Sequence, residues 1–361
     1  MNRSHQTISG LLLALGALAA GCGSPGPDTD AAERLINAQD LERHVLALAS
    51  DPFLGRKPFT EGETKTTRYL KEAFQEMGLE GANDGGFFQE VPLVEIDGKP
   101  EGGMTVSADD GQLTFQFPAE FIASTRRIES SVALDGSELV FAGYGIVAPE
   151  YGWNDYEHVD VEGKTVLVLV NDPGFATQDE TLFKGKAMTY YGRWTYKYEE
   201  AARQGAAGVF VVHETSAAGY PWTVLENGAL GADLVLQSDD KNASMCAVEG
   251  WVTTATARKL FEAAGRDFDE LAAKASRPGF EAEPLGPRVS VAVRNELRFD
   301  TSRNVMAVLR GTDRADECIV YTAHWDHLGV GPPVDGDSIY NGAADNALPL
   351  ACMLETARAF A

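Results

Sequence analysis

Cys318-Ile319-Val320-Tyr321-Thr322-Ala323 leads into His324-Trp325-Asp326-His327-Leu328-Gly329, and Asn341-Gly342-Ala343-Ala344-Asp345-Asn346 follows after a Gly/Pro-rich loop. The first six residues are apolar and β-prone, and they predict a buried strand with His324 at its end. Ala347 to Ala361 predicts a helix, with Asp345 just before it and Asn346 as its N-cap. Open α/β sheets form their crevice at the carboxyl ends of strands. A histidine and a carboxylate delivered there from a strand end and a helix entrance are the first half of a metal site, and they set the fold class as α/β.

A hydrolytic metal site needs ligands at fixed distances and one open coordination position. A two-metal site also needs a bridging carboxylate, because its ions lie about 3.5–4 Å apart. Asp326, two residues beyond His324, is close enough to accept the imidazole's other N–H, which fixes the tautomer and raises ligand basicity. Other polar residues have plainer readings. His327 fits loop support through a hydrogen bond. Asp335 and Asp337 read as solvated turn residues, and Glu199-Glu200 as a solvated helix face rather than a general-base pair.

Upstream, Val289–Leu297, Asn304–Leu309 and Cys318–Ala323 predict three neighbouring strands, with Asp300-Thr301-Ser302 and Gly311-Thr312-Asp313 as turns. Residues 31–79 predict two helices around the loop Ser50-Asp51-Pro52-Phe53-Leu54-Gly55-Arg56. Asp40 is expected to cap the first, which carries Leu41, Val45, Leu46 and Leu48. The second runs from about Glu63 to Met77 and stops at Gly78. Strand-like pieces follow at Phe87–Val94 and Leu113–Phe117. The middle of the chain alternates strand and helix: Glu138–Val147, the solid apolar run Lys164–Val170, the helix Trp194–Gln204, and the strand Ala207–His213. A helical pair, Thr254–Ala264 and Asp267–Ala275, closes it, and 278–287 reads as a linker back.

The chain has 361 residues, 44% hydrophobic and 23% charged, enough for two globular domains. Its 54 acidic and 30 basic residues give a net charge of −24, which repels nucleic acid. Arg3, the apolar run Leu11 to Ala20 and Leu18-Ala19-Ala20-Gly21-Cys22 resemble a bacterial lipoprotein signal, with Cys22 as the lipidated residue and 23–30 as a linker. An acylated Cys22 would tie the protein to the cell envelope without a transmembrane helix; plain secretion is the alternative. Cys246, Cys318 and Cys352 suggest no disulfide framework, and the apolar settings of Cys318 and Cys352 predict buried thiols.

The motifs at 324–329 and 342–346 resemble the first two metal motifs of the co-catalytic di-zinc aminopeptidases, a group that includes bacterial leucyl-type aminopeptidases and relatives of glutamate carboxypeptidase and the transferrin receptor. Asn304 to Gly311 resembles the strand before them. Leu48-Ala49-Ser50-Asp51 with Gly55-Arg56, and Met77-Gly78-Leu79, are similar to the family's amino-terminal region. Gly143-Tyr144-Gly145, Asp155-Tyr156, Gly163 to Val168 and Ala201 to Gly208 resemble an inserted protease-associated domain. The resemblance implies a zinc-peptidase α/β/α sandwich with a mixed sheet, incomplete here, divided as 31–129 and 287–361 around an insert at 130–286. It implies two zinc ions, with His324 on one, Asp345 bridging both and Asp326 orienting His324. Peptides or small proteins are the implied substrates. A Glu base beside a Glu ligand, then an Asp and a His, are expected beyond the second motif. Ala347 to Ala361 hold one acid, Glu355, and no histidine. The general base is thus absent, and the chain as given is expected to be an inactive fragment of a zinc exopeptidase. A non-catalytic binding lipoprotein that keeps the fold but not the metals, and a single-zinc cyclase of the glutaminyl-cyclase type that would also use a His and an Asp here, stand as alternatives.

Overall fold

The computed structural model describes residues 29–314 and 316–361, so the leader and Cys22 lie outside the described residues. The fold is α/β, and the contacts of the described residues divide it into two compact units, 29–89 with 305–361 and 90–304.

The 90–304 unit is built on a ten-stranded mixed sheet. Along its main path the order is Asp233–Leu236, Phe88–Pro100, Glu283–Val305, Ser131–Phe141, Thr165–Leu169, Gly208–His213, Val248–Thr253 and Phe121–Ser124. Met104–Ala108 and Gly111–Phe115 form a hairpin beside Glu283–Val305. Ser131–Phe141, Thr165–Leu169, Gly208–His213 and Val248–Thr253 pair in parallel, as crossover helices such as Trp194–Arg203 require. Every residue of Thr165–Leu169 is buried, which explains its unbroken apolar sequence. Successive side chains point to opposite faces. Leu167 and Leu169 therefore join a core with Phe141, Phe210 and Phe261, while Val166 and Val168 join another with Val140, Val211 and Trp251.

Strands from Phe88 to Ser124 belong to this sheet, so the compact unit begins at Glu90 and ends at Asn304, wider than the 130–286 that the resemblance implies for an insert. Asp300-Thr301-Ser302 is not a turn but part of the continuous strand Glu283–Val305. The expected linker 278–287 already enters that strand, and a register shift falls between Pro284 and Arg288. Glu200 is buried rather than solvated, 2.7 Å from Arg203 and bonded by Tyr196. Asp155 organises the glycine-flanked turn at 143–145. Its carboxylate accepts the N–H groups of Tyr144 and Ile146 and the indole N–H of Trp153, and burial pushes its pKa up to about 7.

The other unit holds the helices Thr29–Leu35, Ala38–Leu48, Glu61–Glu76 and Leu348–Phe360. Two short ladders accompany them: Glu80–Gly81 with Ala307–Val308, and Gly329–Val334 with Asp337–Tyr340. Its core gathers Leu48, Leu70, Phe74, Trp325, Leu350 and Leu354. Asn37, not Asp40, caps Ala38–Leu48, accepting the Asp40 N–H at 3.0 Å. Thr60 caps Glu61–Glu76, and Gly78 follows it at φ 77°.

Cys318–Ala323 forms no strand. No described segment supplies it with a hydrogen-bonded neighbour, and Ile319 and Val320 stand 82% and 72% exposed. Cys318 is exposed with it. Cys352, on the outer face of its helix, is exposed too, so only Cys246 of these three thiols is buried. No helix among the described residues is long and apolar enough to cross a membrane.

Candidate metal centre

Trp325 is 8% exposed and packs into the core with Leu350 and Leu354, which seats the loop that carries His324 and Asp326. Asp345 lies in the wide turn Ala343–Ala347, with non-helical backbone at φ −113°, ψ 94°, so it stands apart from the helix that starts at Leu348. The Asp345–Asn346 peptide is cis. Gly342 opens this turn at φ 62°, and a Cβ there would lie 2.4 Å from the Asp345 carbonyl oxygen, so glycine is required. Asn346 does not cap the helix. Its amide donates instead to the His324 carbonyl at 2.9 Å, tying the second motif to the first.

These supports bring His324 Nε2 to 3.3 Å from Asp345 Oδ1. Both side chains are more than half exposed and open to solvent. On its other edge, His324 Nδ1 lies 3.1 Å from the Asp326 backbone carbonyl and 3.4 Å from its carboxylate. Of Asp326, expected to meet His324 through its carboxylate, the main-chain carbonyl is the nearer group. The carbonyl and the Asp345 carboxylate both only accept, so a neutral imidazole can satisfy one of them, and with its proton on Nδ1 it serves the Asp326 carbonyl. Nε2 then turns a lone pair toward a carboxylate, and that contact is complementary only when a cation, a proton or a metal ion, lies between them.

The donor set fits zinc in kind and spacing. Two donors about 2.1 Å from a tetrahedral ion are about 3.4 Å apart. Among the described residues no third His, Cys, Asp or Glu completes a cluster. Asp335 and Asp337 are exposed in the hairpin turn, where Asp337 accepts the Ile339 N–H. Burial lowers the pKa of His327, whose backbone N–H donates to the Arg56 carbonyl at 3.3 Å. Glu199 and Glu200 belong to the 90–304 unit.

Sequence reasoning gave Arg56 no role. It is fully buried, and its guanidinium donates to the carbonyls of Leu48 (2.6 Å), Trp325 (2.9 Å), Asn341 (2.6 Å) and Gly342 (2.8 Å). Its backbone is left-handed, φ 52°, as are Leu54 at 51° and Gly55 at 63°. For residues with a Cβ that conformation costs roughly 1–2 kcal/mol each. Burial lowers the Arg56 pKa, and the Asp326 and Asp345 charges act against that. The adjacent Asn341 side chain donates to Asp51 at 3.1 Å. A Gly-Arg pair in a helix-to-helix turn was the only local signal; the acceptors are main-chain groups far along the chain and leave no mark on side-chain pattern.

A solvent-facing imidazole and carboxylate 3.3 Å apart, on loops that a buried arginine touches, define this site of an α/β protein. Residues 304–361, which carry both motifs, match the model of Peptidase family M28. Nothing among the curated proteins matches the chain. Among solved structures, an aminopeptidase from Aneurinibacillus sp. strain AM-1 is similar over 92% of this chain and 61% of its own length, at 20% identity and a TM-score of 0.40. A zinc aminopeptidase from Bacillus subtilis is similar over 90% of this chain and 57% of its own, at 15% identity and a TM-score of 0.34. The chain thus spans less than two thirds of the length of either.

Proposed function

We propose that this chain carries the first metal-binding half of a zinc-dependent exopeptidase, an aminopeptidase by preference. The observation that carries the reading is the 3.3 Å approach of His324 Nε2 to Asp345 Oδ1 inside the segment that matches the M28 model. His324 and Asp345 would hold the metal. A bound zinc supplies Lewis acidity toward a water and a scissile carbonyl. The chain's own residues prepare the place: the Asp326 carbonyl holds the Nδ1 proton so that Nε2 is free to ligate, and Asn346 fixes the His324 main chain. With two ions bound, Asp345 would be the ligand they share, and peptides or small proteins would be the substrates. The 90–304 unit acts as a protease-associated module that restricts or presents substrate. Cys22 anchors the protein to the cell envelope through lipid.

The test combines zinc content with hydrolysis of an aminoacyl anilide by the complete gene product. His324→Ala and Asp345→Ala are expected to remove both zinc and activity. Full activity in either variant overturns the assignment, and zinc binding without hydrolysis of any peptide turns it toward a binding protein. Metabolic labelling with palmitate, lost in Cys22→Ser, tests the anchor.

A further inference from the structure

The two motifs that carry His324 and Asp345 lie on separate loops, and each is held to Arg56. Trp325, whose carbonyl takes the Arg56 Nε proton, directly follows His324. Asn341 and Gly342, which take the Nη protons, open the turn that ends in Asp345. A further Nη1 bond, to the Leu48 carbonyl at the end of the Ala38–Leu48 helix, fastens the guanidinium to the unit's core. One planar group with donors in a fixed fork can serve acceptors in three directions, and an ammonium on a flexible stem cannot reproduce that. The surroundings are built to match. Gly342 leaves no room for a Cβ, which would lie 2.6 Å from Arg56 Nη2. The left-handed backbone of Leu54, Gly55 and Arg56 turns the side chain into the core, and a conformation this unfavourable persists only where its surroundings enforce it.

Resting on the metal-centre reading above, we propose that Arg56 is a positioning residue that sets the spacing of His324 and Asp345 by clamping their two loops to one guanidinium. Arg56 touches neither metal nor substrate. Its loss frees four carbonyls, and the loops no longer share a reference point.

Arg56→Gly suits the test, because glycine adopts φ 52° without strain and only the side chain is lost. Arg56→Lys keeps the charge and loses the fork. Leu70→Ala, a cavity in the same core that removes no hydrogen bond to the loops, controls for general loosening. Two measurements are made on the whole chain: zinc affinity by competition with a chelating dye, and hydrogen exchange of the metal-free protein. Both Arg56 variants are expected to bind zinc about tenfold more weakly or worse, as loss of a ligand-supporting group does. Exchange should quicken over 324–329 and 341–347, and millimolar guanidinium should restore affinity to Arg56→Gly. Leu70→Ala should stay within about twofold of wild type, since it removes no group that supports a ligand. An Arg56→Lys protein with wild-type affinity, or a Leu70→Ala protein as impaired as Arg56→Gly, overturns the proposal. Unchanged exchange in Arg56→Gly overturns it whichever way the zinc result falls. Wild-type zinc binding no tighter than that of His324→Ala overturns the metal reading itself, so the two failures are told apart.

Discussion

At Gly55 a Cβ would lie 2.5 Å from the Gly329 carbonyl and 2.6 Å from that of Tyr340, and the backbone is left-handed as well. Gly55→Ala is therefore expected to push the Gly329–Val334 ladder away from the Arg56 turn and to cost about 2–4 kcal/mol, read from the denaturant midpoint. Asp326 gives a finer contrast. Its carbonyl is the nearer partner of His324, and a carbonyl survives any side-chain change. Asp326→Ala should therefore weaken zinc binding by less than about tenfold, while His324→Ala abolishes it; equal losses in a zinc titration would show that the carboxylate does the orienting. The approach of His324 to Asp345 was legible in the sequence because each sits in a short polar motif with a glycine nearby. The oxygen that Asp326 uses was not, because it depends on the loop's backbone path rather than on residue type.

Between elements, the Ala38–Leu48 and Leu348–Phe360 helices meet through a buried polar bridge. His44 Nδ1 lies 2.7 Å from the Tyr69 hydroxyl, and Nε2 lies 3.2 Å from Glu355, which also pairs with Arg358. Burial, with help from Arg43 and against the pull of Glu355 and Asp40, lowers the His44 pKa below its ordinary 6.5. The folded state then binds this proton less readily than the unfolded chain. The contribution is fully present above pH 6.5 and is lost as the pH falls through 6.5 toward the lower folded value. Urea midpoints at pH 7.5 and 5.5 should therefore converge more in His44→Gln than in wild type, and an unchanged difference would remove His44 from the account. In the other unit, Asp155→Ala strands three donors and should cost about 3 kcal/mol or more. The helices themselves were readable from apolar spacing, since Leu70, Phe74 and Met77 recur on one face. Their caps were not, because Asn37 and Asp40 are equally able to cap and tertiary contacts choose between them. The long strand Glu283–Val305 hid its course behind Asp300-Thr301-Ser302 and Pro284, turn-formers that pairing with distant strands overrode.

For the molecule as a whole, the 90–304 unit has its own sheet and two core clusters on opposite faces of it, the marks of a segment able to fold alone. A 90–304 fragment should unfold in a single cooperative thermal transition followed by circular dichroism, and a gradual, featureless melt would contradict that. Its extent was the least legible feature of the sequence, because strands before residue 130 reveal their membership only through pairing partners remote in the chain. The six residues from Cys318 to Ala323 carry a different consequence. They hold no charge and no proline, and Ile319, Val320 and Tyr321 face solvent. Such a stretch is a template on which identical chains can stack in cross-β order. Light scattering of concentrated samples should rise with time and fall in Ile319→Lys, a change at a side chain that is 82% exposed and holds up no core. The residues that lead into the metal motif thus double as an open edge on which a further strand could pair.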